Sequence, residues 1–136
     1  MYSVVHFELP FRDRDRAVDF YAKAFGWKAT KFGPEMGNYA TVETGETDPQ
    51  TQLPLQPGAI NGGLFEKTKE NQFPSVVLAV DDIRQAMKEV EEAGGRVIGG
   101  TTPGEPDDIP GVGLYCAISD TEGNRIGMLQ PAPMPA

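Results

Sequence analysis

The sequence predicts an α+β fold built from two tandem βαβββ modules, spanning residues 1–68 and 69–136 of one domain. Three observations carry that expectation. A strand–helix pattern occurs twice, from His6-Phe7-Glu8-Leu9-Pro10 to Gly26 and from Ser75-Val76-Val77-Leu78-Ala79 to Gly95. Sliding one copy onto the other pairs Leu9 with Leu78, Asp13 with Asp82, Ala17 with Ala86, Ala24 with Ala93 and Gly26 with Gly95. About one identity is expected by chance over so short a window. Both helical stretches open on aspartate, stop at glycine and lead into short β-rich runs, so a repeated unit fixes the architecture.

In module one, Ser3–Leu9 alternates Val5, Phe7 and Leu9 against Val4, His6 and Glu8, which is strand chemistry. Asp13 or Asp15 caps a helix whose stripe is Ala17, Phe20, Tyr21, Ala24 and Phe25. Gly26 stops it by taking the left-handed conformation at low steric cost. Trp27–Phe32, Asn38–Glu43 and Ala59–Phe65 are the next strands. The Pro-rich stretch Thr44–Gly58 is a surface loop that could fold over a pocket.

Module two repeats the order. Ser75–Val80 is a strand, and Asp82 with Gln85 suits a capping box. Ile83, Ala86, Met87, Val90 and Ala93 form the second helical stripe. Arg96–Gly99, Val112–Ser119 and Arg125–Gln130 are strands; Thr101–Gly111 reads as a loop and 120–124 as a turn. The tail 131–136 is expected to fray. Helices covering one sheet face leave the other free to curve, so a cup-shaped mixed sheet with helices outside is expected.

The 136 residues suffice for a real core, and 39% hydrophobic with 24% charged composition suits a folded, soluble chain. A net charge of −8 with no basic stripe argues against nucleic acid and anionic membranes. It permits a cationic ligand, although solubility alone explains it. No apolar run reaches spanning length, and the expectation is a cytoplasmic protein. The lone Cys116 allows no intrachain disulfide, and its apolar run suits a buried thiol.

The segments Arg16-Ala17-Val18-Asp19-Phe20-Tyr21, Ala24-Phe25-Gly26-Trp27, Val80-Asp81-Asp82 and Asp120-Thr121-Glu122-Gly123-Asn124, with the first strand, carry a family resemblance. Over residues 3–130 the chain resembles the vicinal-oxygen-chelate superfamily. That group includes lactoylglutathione lyase, extradiol dioxygenases and drug-resistance proteins. Asn61-Gly62-Gly63-Leu64, Ile109-Pro110-Gly111-Val112-Gly113 and Gly123-Asn124-Arg125-Ile126-Gly127 resemble its branch of predicted enzymes related to lactoylglutathione lyase.

The resemblance implies where a divalent ion would bind in metal-dependent members: imidazoles and carboxylates on the first and last strands of each module. His6 falls at the first position, Ser75 at its equivalent and Gly127 where many members have glutamate. The fourth position lies within Asn61–Leu64, in a register the sequence leaves open. Glu66 would enter only if that strand shifted. One strong donor in four falls short of a catalytic zinc site's usual three, so neither metal nor cofactor is expected.

His6 and Glu8 are then the candidate catalytic pair. Residues two apart on a strand lie about 6.5–7 Å apart along the chain, which is long for a direct bond. His6 is either an acid–base group or a polar residue satisfied by its neighbours. Tyr39, Asn61, Ser75, Tyr115 and Arg125 are candidate ligand contacts; packing or surface roles suit both tyrosines and Arg125 as well. The leading expectation is a metal-independent small-molecule-binding protein of glyoxalase/bleomycin-resistance type. The alternatives are a lyase or isomerase using His6 and Glu8, and a regulatory or structural domain. A homodimer is expected from the resemblance.

Overall fold

A computed structural model describes residues 1–133. The chain forms two compact units, His6–Pro74 and Met1–Val5 together with the chain from Ser75. The Ser3 carbonyl accepts from Ala79 N at 3.0 Å, so the first residues belong with the later unit.

The His6–Pro74 unit contains most of β1 (Val4–Phe11), then α1 (Arg14–Phe25), β2 (Lys28–Lys31), β3 (Ala40–Glu43) and β4 (Asn61–Glu66). The strands lie in the order β2-β3-β4-β1, with β1 parallel to β4 and the other pairs antiparallel. This is a βαβββ module of α+β class. Asp13 caps α1 by accepting from Arg16 N at 3.1 Å, and Gly26 closes it at φ 76°.

Phe11, Ala40, Val42 and Leu64 are buried together with Phe7, Leu9, Ala17, Val18, Tyr21, Trp27 and Ala29 packed on them. The face of β1 bearing Phe7 and Leu9 is therefore the one that α1 covers. Strand alternation puts His6 and Glu8 on the other face. The five-residue stripe expected on α1 does not bury as a whole. Phe20 and Phe25 are 55% and 62% exposed, and no residue of α1 is fully buried. Trp27 stacks on Tyr21 at 4.8 Å and 13°, filling the space beside the helix and leaving the two phenylalanines at the rim.

The later unit contains β5 (Ser75–Ala79), α2 (Ile83–Glu92), β6 (Arg96–Gly99), β7 (Asp107–Ile109), β8 (Gly113–Ser119) and β9 (Arg125–Pro131). Its order is β5-β9-β8-β6, with β7 paired to β8. Asp82 accepts from Gln85 N at 3.1 Å, while the Gln85 side chain reaches Glu89, so only the aspartate half of the expected capping box forms. Ile83 and Ala86 bury against Val80, Cys116, Ile118 and Met128.

β7 lies inside the stretch expected to be a loop. The Asp107 carboxylate accepts from Thr101 N, and Gly100 N donates to the Glu105 carbonyl, folding the segment back. Asp107–Ile109 can then pair with Gly113–Tyr115 across the turn at Pro110-Gly111. Of the tail expected to fray, Pro131 ends β9 and residues 134–136 lie outside the described residues.

Burial ranks the two helices energetically. Ile83, fully buried, should cost about 2–5 kcal/mol on replacement by alanine, whereas Phe20→Ala should stay within about 1 kcal/mol. Urea unfolding of the two variants measures both.

Candidate functional site

β1 presents His6 and Glu8 on its uncovered face, two residues apart. Their third member enters from the connection before β3. There Pro34–Met36 makes one short 3-10 turn, and Gly37 and Asn38 follow at φ 66° and 57°. Asparagine is among the few residue types that tolerate this left-handed region. Arg14, in the first turn of α1, donates to the carbonyls of Phe32 and Asn38 at 2.5 and 3.1 Å. Phe32 N also donates to the Tyr39 carbonyl at 2.9 Å, so the turn is clamped on both sides of Tyr39.

The Tyr39 phenol lies directly over Gly63, where a methyl group would fall inside the ring and hydroxyl. In the parallel β1–β4 register Glu8 pairs with Gly63 and His6 with Asn61. Gly62 does the converse on the covered face, where it makes room for the Phe7 ring. The two adjacent glycines thus admit one aromatic ring on each side of β4.

The result is a hydrogen-bonded chain of three side chains. The Tyr39 hydroxyl donates to Glu8 Oε2 at 2.7 Å and lies 2.9 Å from His6 Nε2. His6 Nε2 and Glu8 Oε2 are themselves 4.0 Å apart, so tyrosine bridges a gap too long for a direct bond. A phenol has one proton; given to Glu8, it leaves the oxygen as acceptor toward His6. Nε2 must then carry the imidazole proton. Burial lowers the His6 pKa to about 4, even with the carboxylate nearby, so the ring is neutral at pH 7.

The other expected contacts divide between the units. Asn61 belongs to the same unit, but its amide is engaged with the neighbouring loop. Its Oδ1 accepts from Thr44 N and its Nδ2 donates to Thr47 Oγ1, both at 2.9 Å. Ser75 opens β5, Arg125 opens β9 and Tyr115 lies on β8, all half-buried in the later unit. Cys116 is fully buried, and burial pushes its thiol pKa up, which suits packing and not nucleophilic work.

Strand register settles the position left open in Asn61–Leu64. Gly63 pairs with Glu8 in β1 and Thr41 in β3; Gly127 pairs with Val77 in β5 and Ala117 in β8. The two glycines are equivalent, and Tyr115 packs on Gly127 as Tyr39 packs on Gly63. The repeat therefore includes a tyrosine laid on a glycine. Only the first copy adds His6 and Glu8, where the second has Ser75 and Val77.

A model of the Glyoxalase/Bleomycin resistance protein/Dioxygenase superfamily matches residues 3–128. The chain belongs to this superfamily. It is 29% identical over 114 residues to a protein of Arabidopsis thaliana named "Probable lactoylglutathione lyase, chloroplastic", covering 82% of this chain and 31% of that protein. It is 30% identical over 128 residues to the anthracycline biosynthesis protein DnrV of Streptomyces peucetius, covering 86% of this chain and 42% of that one. The chain thus spans less than half the length of these curated relatives. A methylmalonyl-CoA epimerase solved with methylmalonyl-CoA and NH4+ shares the fold, with TM-score 0.69 and 18% identity over 100% of this chain and 99% of that one.

The residues present do not fit the divalent ion of the superfamily's metal-dependent members. Among the described residues no three His, Cys, Asp or Glu side chains converge. Gly63 and Gly127 provide no donor, and the Tyr39 hydroxyl stands between the only imidazole and its carboxylate neighbour. Sequence reasoning picked His6 and Glu8 as a pair and Tyr39 separately. It missed their bridge, the clamp from Arg14 and the space provided by Gly63.

Two outcomes are expected. Gly63→Ala should cost about 1–3 kcal/mol by overpacking, and close to nothing in a Tyr39→Ala background, as a double-mutant cycle in urea would show. The lowered His6 pKa means the unfolded chain binds the extra proton between pH 6.5 and about 4. The stability that wild type holds over His6→Gln should therefore shrink as pH falls through that window, by up to roughly 3 kcal/mol. Urea midpoints at pH 7 and 4.5 measure it.

Proposed function

We propose that this chain binds a small organic molecule at the His6–Tyr39–Glu8 face of β1, without a metal ion. The observation that carries the reading is the continuous hydrogen bonding from imidazole through phenol to carboxylate. Such a face offers a neutral nitrogen, an aromatic wall and a negative charge, which suits a polar or cationic compound. The donor set supports metal independence, since one imidazole and one carboxylate fall short of a usual catalytic site.

A second reading is favoured by the same hydrogen bonds: a lyase or isomerase in which His6 and Glu8 move a proton. An imidazole linked to a carboxylate through a hydroxyl is suited to general acid–base work. Acyl-glutathione and acyl-CoA compounds are the first to try, given the names of the lactoylglutathione lyase and methylmalonyl-CoA epimerase likenesses. We carry Ser75, Tyr115 and Arg125 as further ligand contacts, and a cytoplasmic homodimer as the working assembly. The curated relatives are more than twice as long, which leaves room in each for a second such module and supports a paired arrangement.

A thermal-shift screen with these thioesters, free thiol adducts and cationic compounds tests the reading, because a ligand of the folded state raises apparent stability. The best hit should bind His6→Ala at least tenfold more weakly if the face is the site; unchanged affinity would remove it. Retained affinity with lost turnover selects the enzyme over the binder. Elemental analysis of protein purified without chelator should give far less than one zinc, nickel or iron per chain; a stoichiometric value would overturn metal independence.

A further inference from the structure

We infer that His6, Tyr39 and Glu8 form a tautomer relay, in which Tyr39 passes to Glu8 the proton that His6 gives up when it takes another. The inference rests on the acid–base reading and specifies its chemistry.

Three observations lead to it. The phenol proton points to Glu8, so His6 holds its proton on Nε2 and donates to the Tyr39 oxygen. The other ring nitrogen, Nδ1, makes no hydrogen bond among the described residues. No fully buried side-chain nitrogen or oxygen lacks a partner there, so Nδ1 keeps contact with solvent, in a side chain that is 27% exposed. Finally, the bridge is held from three directions: Gly63 below the ring, the Arg14 clamp before it and β3 after it.

The proton balance follows from these positions. A ligand X–H bond gives its proton to Nδ1 and keeps the electron pair. Nε2 releases its proton to the Tyr39 oxygen, and Tyr39 releases its own to Glu8 Oε2. The relay ends as a neutral imidazole protonated on Nδ1, a neutral phenol and a neutral carboxylic acid. The single negative charge has moved from Glu8 to the ligand. No imidazolium forms, which matters in a setting where burial disfavours that cation. Returning the proton reverses each transfer, so the ligand class is a weak carbon or oxygen acid undergoing reversible deprotonation, as in an isomerisation. His6 touches the ligand; Tyr39 and Glu8 act through it.

His6 is the only histidine in the chain, so imidazole nitrogen NMR on the intact protein reads one residue. At pH 7 the wild type should show the Nε2–H tautomer in at least about tenfold excess. Tyr39→Phe removes the acceptor and should bring the ratio several-fold closer to that of free imidazole. Glu8→Gln mimics the proton-loaded carboxyl, and should shift the population toward Nδ1–H by about tenfold. The same change in a Tyr39→Phe background should have no effect.

A wild-type Nδ1–H tautomer, or a Glu8→Gln effect that survives loss of the phenol, overturns the relay. An unchanged tautomer in both single variants does so too. If one variant fails to fold, the other still decides. No ligand is in the tube, so an empty ligand screen tells against the proposed function and leaves this result standing.

Discussion

The arrangement depends on the absence of a side chain at Gly63. β4 runs parallel to β1 with Gly63 beside Glu8, and any Cβ there would occupy the space of the Tyr39 phenol. With that space open, the end of the tyrosine ring occupies it and its hydroxyl reaches both His6 and Glu8. Without it, two polar side chains 4.0 Å apart would compete for water in a half-buried setting. Burying polar groups is tolerable when their hydrogen bonds are met, and the phenol meets one for each.

The same glycine leaves its position on β4 without a side chain that could hold a metal. A carboxylate at that position would be a donor beside His6, whereas a glycine cedes the place to a neighbouring ring. Gly127 does likewise for Tyr115 in the later unit. The two modules therefore share a common device and differ in what surrounds it. His6 and Glu8 give the first copy an imidazole and a carboxylate, while Ser75 and Val77 give the second neither.

Most of the fold was legible in the sequence because it rests on short-range signals. Aspartate caps, glycine stops and period-two alternation located both helices and most strands, and the alternation put His6 opposite Phe7. The misses have physical causes. β7 accompanies the contact between Asp107 and Thr101, which no local propensity announces. Phe20 and Phe25 follow helical spacing, yet Trp27 already fills the space beside Tyr21. The tyrosine–glycine equivalence was hidden because the loops between strands differ in length. No single slide of the sequence aligns Tyr39 with Tyr115 and Gly63 with Gly127; strand register does. The bridge itself joins residues 31 and 33 positions apart, beyond any motif window.

Proton positions decide the direction of every hydrogen bond in the His6–Tyr39–Glu8 chain. Neutron diffraction from a deuterium-exchanged crystal near neutral pH would locate them directly. The account predicts deuterium on His6 Nε2, none on Nδ1, and the phenol deuterium lying between Tyr39 and Glu8. Deuterium on Nδ1 with Nε2 bare, or a metal ion in place of the phenol between His6 and Glu8, would contradict it.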